Sequence, residues 1–493
     1  MALSKSQYIR GLQCHKSLWL YKNKPNLRDT PDSSQESLFN TGHQVGELAC
    51  KLFPNGVEIK FDSDNFDGMI QQTKELIAND CQVIYEATFK ESGIFSMVDI
   101  LVKNGDAWDL YEVKGSTGVK EYHLNDISIQ WYSISKVLNL NKAYVVHINN
   151  QYVRGCELDI KELFTISDVT DEVQNRQYKI PFNLEQMGQM LDEDIPDVDI
   201  GGHCDNPHGC DFKGHCWKDI PYPSIFNLYW MNWSKKFEMY YKGMKTYDDI
   251  PKEFKLNATQ TLQVDTFKSK EPYINKPIIK DFLDTIEYPI NFFDFETFQN
   301  AIPRFSRQRP YIQIPFQYSL HVLYEDRTMV HKEFLGDENS DPRNDLISQM
   351  LNDITPTGSI VAYNQSFEQS RIKELAQFNL DKKDELLALN ERFVDLIVPF
   401  RGRGYYHPNF NGSFSIKSVL PAMFPNDDEL DYKKLGSIQN GGDAMDTFAN
   451  LHLLKDKSKL EDIRKDFLAY CRLDTLAMVR IWEKLGEISG YSK

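Results

Sequence analysis

Between Cys81 and Ser116, apolar and polar positions alternate with a period of two through CQVIYEATF, GIFSMVDILVK and WDLYEVKGST, with the turn NGDA before the last segment. Successive side chains of a strand point to opposite faces, so this pattern predicts a β-meander. EYHLNDISIQWYSISKVL comes next with the spacing of an amphipathic helix. A second block starts near Glu287. YPINFFDFETF, PFQYSLHVLY and TMVHKEFL read as strands, NDLISQMLNDI as a helix, GSIVAYN as a strand and SFEQSRIKELAQF as a helix that Ser366 is expected to cap. A terminal helix is predicted from about Glu461 to Leu485, with Leu473, Leu476, Ala477, Val479 and Ile481 for packing. Between the blocks, PYPSIFNLYWMNWSKKFEMYYKGM is aromatic with a helical period, and Pro251, Pro272 and Pro277 punctuate the polar segments after it. The pattern predicts a mixed α/β chain in three parts: residues 1–220, a helical connector over 221–284, and residues 285–493.

A length of 493 residues agrees with two to three domains. No run of about twenty apolar residues occurs, and the basic start MALSKSQYIRGLQCHK lacks the apolar stretch of a signal peptide, so a cytoplasmic protein with no membrane partner is expected. The net charge of −16 argues against a uniformly basic nucleic-acid binder. Charge is uneven, however: Lys5, Arg10, Lys16, Lys22, Lys24 and Arg28 precede any acid, and the acid-free stretch Arg401 to Pro421 mixes Arg401, Arg403, His407 and Lys417 with Tyr405, Tyr406, Phe410 and Phe414. The first run is either a solvated helix face or a phosphate track. The second is either a packed loop or a single-strand binding surface through Arg401, Arg403, Tyr405 and Lys417.

Three groups in the last 200 residues combine into one candidate metal centre. Asp294 and Glu296 lie two apart in FFDFETF and share a strand face; Glu368 is in YNQSFEQSRIKEL; Tyr470 and Asp474 in YCRLDT lie four apart, on one helix face. Four carboxylates beside a tyrosine can hold two divalent cations around a phosphodiester. Residues 285 to 490 resemble the DEDD exonucleases of the DnaQ, RNase H-like fold, in the subclass with tyrosine four residues before the last aspartate. The resemblance implies that Asp294, Glu296, Glu368 and Asp474 ligate Mg²⁺ or Mn²⁺ and that Tyr470 orients the attacking water. Glu368 departs from the aspartate usual at its position.

The N-terminal meander offers a second set. Asp99 closes one half-strand, and Glu112 and Lys114 share a face of the next. With Gln130 in the next helix, these residues resemble the RecB-like branch of the PD-(D/E)XK nucleases, which implies a restriction-endonuclease-like fold. NTGHQVGELACKLFP resembles that branch's first helix, with Glu47 as a further metal-ligating acid and the role of His43 left open. The alternative for Glu112 and Lys114 is a surface cross-strand pair.

Cys204, Cys210 and Cys216 lie in GGHCDNPHGCDFKGHCWK, and Cys14 is the natural fourth ligand, since RecB-like nucleases with a [4Fe-4S] cluster, including CRISPR-associated and AddB-type proteins, place one cysteine before the core and three after it. Zn²⁺ is the alternative, with His15, His203, His208 and His215 close by in sequence. Cys50, Cys81, Cys156 and Cys471 read as small core residues. The expectation is a DNA nuclease with two centres, serving end processing, repair or defence against foreign DNA on strands with single-stranded ends. The alternatives are an exonuclease for RNA, or one half acting only as a nucleic-acid clamp. No Gly-Lys-Ser/Thr phosphate loop is present, so a helicase partner would have to supply unwinding.

Overall fold

The computed structural model describes residues 3–31 and 33–491. It is mixed α/β, and the chain divides into two compact units, Met1–Asp219 with Asn300–Tyr311, and Ile220–Gln299 with Ile312–Lys493.

The first unit is built on a sheet of β1 (Leu3–Ser4), β2 (Val57–Glu58), β3 (Val83–Glu91), β4 (Ile94–Asn104), β5 (Ala107–Lys114), β6 (Leu140–Ile148) and β7 (Phe164–Asp168). The order is β2-β3-β4-β5-β6-β7, and β1 joins β4 where it runs past the end of β5. Helices α1 (Lys5–Gln13), α2 (His15–Asn23), α3 (Ser33–Cys50) and α4 (Glu121–Ile134) belong to this unit. β5 and β6 are parallel, so the chain must cross over, and α4 is that crossover. It buries Ile127, Trp131 and Ile134 on one sheet face with Trp108 and Leu110 of β5. By period two, Glu112 and Lys114 continue that face. On the other face Val45 and Ala49 of α3 pack with Tyr111 and Val146. Leu3, Tyr8 and Leu18 are fixed in a separate cluster with Ile94, Ile129 and Met187, which seats α1.

Within this unit the segment 300–311 is tied down by backbone bonds from Arg154 N to Gln308 O (3.0 Å) and from Arg307 N to Arg154 O (2.8 Å), and by Tyr311 Oη donating to Gly115 O. Periodicity placed these residues with the C-terminal block. A pairing between residues some 150 positions apart in sequence leaves no periodic trace.

The second unit carries a sheet of β8 (Ile290–Phe298), β9 (Ile314–Leu323), β10 (Met329–Leu335), β11 (Ile360–Ala362) and β12 (Phe393–Asp395) in the order β10-β9-β8-β11-β12. β8 and β9 are antiparallel, and β8, β11 and β12 are parallel. Its helices include α5 (Trp233–Tyr241), α6 (Ser366–Phe378), α7 (Ile416–Met423), α8 (Gly441–Leu451) and α9 (Lys457–Ser489). Residues 221–284, expected to form a connector, cluster with this unit. The expected cap is corrected: Ser366 is the first residue of α6, and Gln365 before it already has helical angles (φ −46°, ψ −19°) and makes no side-chain cap bond. A capping side chain needs an extended backbone to reach back to the first amides, and Gln365 lacks it. Among the described residues, no helix is long and apolar enough to cross a membrane.

Candidate metal centres and the cysteine cavity

Strand alternation aims the first two carboxylates. Phe293 and Phe295 pack into one core with Leu375 of α6, while Ile290 and Phe292 pack into the other with Leu473, Ala477 and Ile481 of α9. Asp294 and Glu296 therefore lie on the α9 side. A helix brings residues four apart onto one face, which groups Tyr470 with Asp474. Ligand atoms of Asp294, Glu296 and Cys471 all lie within 4.8 Å of one another. Glu368, in the first turn of α6, is 2% exposed, and its Oε2 has no hydrogen-bond partner.

The electrostatics of the group are those of acids gathered without enough cations. Burial, then the charge of Asp474, holds Asp294 and Glu296 well above the ordinary carboxylate range. Burial also lifts Asp474 to about 6 and Glu368 to about 8. Lys417 opposes these shifts at Asp294, Glu296 and Asp474, and its Nζ donates to Tyr470 Oη at 3.2 Å. Tyr432 Oη donates to Asp474 Oδ1 and holds that carboxylate in place. Tyr432 escaped the sequence reading because it sits in an irregular segment 38 positions before Tyr470, outside any motif. Cys471, expected as a small core residue, is buried, and burial with the neighbouring acids pushes its thiol pKa up, while its Sγ is one of the three grouped ligand atoms. A carboxylate-rich set with an orphaned oxygen on Glu368 fits Mg²⁺ or Mn²⁺.

A measurable consequence is the sign of the pH dependence. A carboxyl group whose pKa is raised by folding binds more protons in the native state, so stability falls as pH rises through the folded values, here from about 6 to about 8. Metal-stripped protein is expected to melt lower at pH 8 than at pH 6. Added Mg²⁺ should raise the melting temperature more at pH 8, by an amount equivalent to roughly 3 kcal/mol at a hundredfold excess over Kd. Equal shifts at the two pH values in differential scanning calorimetry would refute this balance.

In the first unit the expected residues also meet. Gln130 Nε2 donates to Glu112 Oε2 (2.7 Å), Lys114 Nζ reaches Glu112 Oε1 (2.7 Å), and Asp99 Oδ2 accepts from Val113 N (2.6 Å). Two further residues complete the cluster: Asp126, 2.6 Å from Lys114 Nζ, and Lys5, whose Nζ lies 3.0 Å from Glu112 Oε1. Burial opposes ionisation of Glu112, which is 1% exposed, but Lys114 and Lys5 outweigh it and hold the acid below its ordinary range. Burial and Glu112 push Asp99 up to about 7. Asp126 lies at the helical spacing from Gln130 and was legible in principle; Lys5 was hidden in a basic run. A surface pair is thereby excluded for Glu112 and Lys114. Glu47 and His43 are exposed on α3, and among the described residues no hydrogen bond or ion pair joins Glu47 to this cluster.

Cys14, Cys204, Cys210 and Cys216 line one cavity, with His203, Ser17 and Phe212. Ser17 links two of them, its N–H donating to Cys14 Sγ (3.4 Å) and its hydroxyl accepting from Cys210 Sγ (3.4 Å). Gln13 Nε2 donates to His203 O and His208 O, both at 2.8 Å, which fastens the end of α1 to the cysteine loop. His208 is instead engaged edge-on with Tyr122, ring centroids 4.5 Å apart.

For the aromatic residues between Arg401 and Pro421 the packed-loop alternative holds. Tyr405, Tyr406, Phe410 and Phe414 are buried in the core, so Tyr405 has no face for a base; Arg401 and Arg403 are exposed. In the N-terminal basic run, Lys5 faces Glu112, and Arg10 and Arg28 pair with Asp211, so these three cations are engaged within the protein. Cys156 is exposed rather than a core residue.

The model of a family described as a domain of unknown function, DUF2779, matches residues 291–415, a span that includes Asp294, Glu296 and Glu368 and ends just before α7. The uncharacterized protein MG366 homolog of Mycoplasma pneumoniae is 27% identical over 208 residues, covering 38% of this chain and 31% of that protein. The uncharacterized protein UU173 of Ureaplasma parvum is 28% identical over 211 residues, covering 38% and 30%. The chain thus spans about a third of the length of these relatives.

Proposed function

We propose that this protein is a metal-dependent nuclease that hydrolyses DNA phosphodiesters at two centres, a 3′-to-5′ exonuclease centre around Asp294 and a RecB-like centre around Glu112. The observation that carries the proposal is the buried set of Asp294, Glu296, Glu368 and Asp474 beside Tyr470, whose acids repel one another and leave Glu368 Oε2 unsatisfied. In this reading the second unit has an RNase H-like fold, in keeping with a sheet that mixes an antiparallel β8-β9-β10 edge with parallel β11 and β12. The first unit has a restriction-endonuclease-like fold, in keeping with the β5-α4-β6 crossover that delivers Glu112, Lys114 and Gln130.

Bound divalent ions would lower the pKa of a water and neutralise charge developing on the phosphoryl oxygens. The chain supplies the rest. Asp294, Glu296, Glu368 and Asp474 would hold the ions, Tyr432 fixes Asp474, and Tyr470 Oη orients the attacking water. Lys417 Nζ, on Tyr470, faces the incoming phosphate. In the first centre Asp99 and Glu112 would hold the ion, Gln130 fixes Glu112, and Lys114 polarises the water.

The four cysteines are proposed to hold a structural [4Fe-4S] cluster. What supports a shared centre is that all four cysteines line one cavity; Zn²⁺ is the alternative occupant. Anaerobically purified protein should be coloured and carry about four irons per chain. Colourless protein with stoichiometric zinc would transfer the site to zinc. The nuclease reading is tested with end-labelled single-stranded DNA, duplex DNA and RNA in Mg²⁺ or Mn²⁺. Cleavage of DNA that EDTA stops is expected, and intact substrates under every condition would end the proposal.

A further inference from the structure

A groove of about 650 Å³ in the second unit is lined by Tyr229, Trp230, Lys236, Asn364, Arg401 and Ser415, among others. Three features set it apart from ordinary surface. Trp230 is 84% exposed, and its φ of +52° lies in the left-handed region that a bulky side chain rarely adopts. The strain persists because the preceding residue is pinned: Tyr229 N donates to Gln263 Oε1 (3.0 Å) and Tyr229 O accepts from Gln260 Nε2 (2.9 Å). The indole also stacks on Tyr229, with ring centroids 5.8 Å apart, which leaves its other face open to the groove.

Second, Lys236 of α5 is 8% exposed; its Nζ donates to Phe226 O (2.7 Å) and lies 5.0 Å from the Trp233 ring centroid, and among the described residues no carboxylate pairs with it. A buried ammonium is costly without an anion. Third, Arg401, exposed on the same groove, makes no ion pair among the described residues. Two cations with no carboxylate partner among the described residues, beside an exposed aromatic ring, complement a phosphate joined to a base. The groove also borders the Asp294 centre along the chain: Asn364 stands four residues before Glu368, just ahead of α6, and Ser415 and Ile416 lead into Lys417, whose Nζ touches Tyr470.

We propose that this groove binds the unpaired end of a DNA strand, Trp230 stacking on a base while Lys236 and Arg401 meet phosphates. Delivery of that strand to the Asp294 centre rests on the nuclease reading; binding in the groove does not.

The test is fluorescence anisotropy of a labelled, short single-stranded DNA with the full chain in EDTA, where no cleavage occurs. Trp230→Ala, whose side chain is mostly in solvent, is expected to fold normally and to weaken binding by about 5- to 100-fold. Arg401→Ala should weaken it and flatten the salt dependence. Lys236→Met should do the same and keep the melting temperature, because methionine fills the site without a charge. Unchanged affinity in both Trp230→Ala and Arg401→Ala overturns the proposal, and so does tighter binding of an RNA of the same sequence. Binding that falls in these variants while wild-type protein cleaves nothing in Mg²⁺ or Mn²⁺ supports the groove and defeats the nuclease reading. Cleavage by wild-type protein with unchanged binding in the variants does the reverse.

Discussion

Asp294→Asn is expected to slow release of nucleotides from 3′ ends by about 10³-fold or more, equivalent to about 4 kcal/mol of transition-state stabilisation. Asparagine keeps the shape of the side chain and the packing of β8 but removes one of the charges that gather metal. Stability should move the opposite way. Asp294 is held well above the ordinary aspartate range by burial and by Asp474, so the ionised group is a burden on the metal-free fold. The variant should therefore melt higher than wild type in EDTA at pH 8 and gain less from Mg²⁺. Gel analysis of labelled strands gives the rate, and scanning calorimetry gives the stability. An unchanged product ladder would remove Asp294 from the chemistry, and a variant that melts lower in EDTA would contradict the electrostatic account.

For the first unit the largest effect is expected from Glu112→Gln. Glu112 is nearly inaccessible and faces Lys5, Lys114 and Gln130, so neutralising it leaves two ammonium groups around a site with one acid fewer. Breaking a buried pair from one side costs about 3–5 kcal/mol. Unlike Asp294→Asn, this change should lower stability and cleavage together. The pH dependence also has the other sign: the folded pKa of Glu112 is depressed, so its contribution is fully present above the ordinary glutamate value of about 4.3 and is lost as pH falls through the lower folded one. The gap between wild type and variant should narrow below about pH 4. A constant gap down to the acid limit would mean that Glu112 acts by shape alone.

These two centres were unequally legible in the sequence. Period two in FFDFETF and period four in YCRLDT fix which side chains share a face, and the face on which they meet is set by the phenylalanines between them. The same reasoning grouped Glu112 with Lys114, while Gln130 was assigned by resemblance to a nuclease motif. The residues that escaped are placed by tertiary packing. Tyr432 reaches Asp474 from an irregular segment, Lys5 enters from a helix over a hundred residues before its partner, and the aromatics around Tyr405 are drawn into the core. Trp230, the most exposed of the aromatics that line the groove, lay in a stretch read as a helical connector, where packing was the favoured role and nucleic-acid contact the alternative. Glu47 was assigned by likeness to a helix motif, and its helix turns it to solvent.

Helix α1 ties the two ends of the first unit's chemistry together. Lys5 stands in its first turn and Cys14 forms its C-terminal cap, about 13 Å apart along a single rod. Between those ends Tyr8 is held in the core and Arg10 is paired with Asp211, so one short helix carries a counter-charge to a buried carboxylate at one end and a thiol to the cysteine cavity at the other.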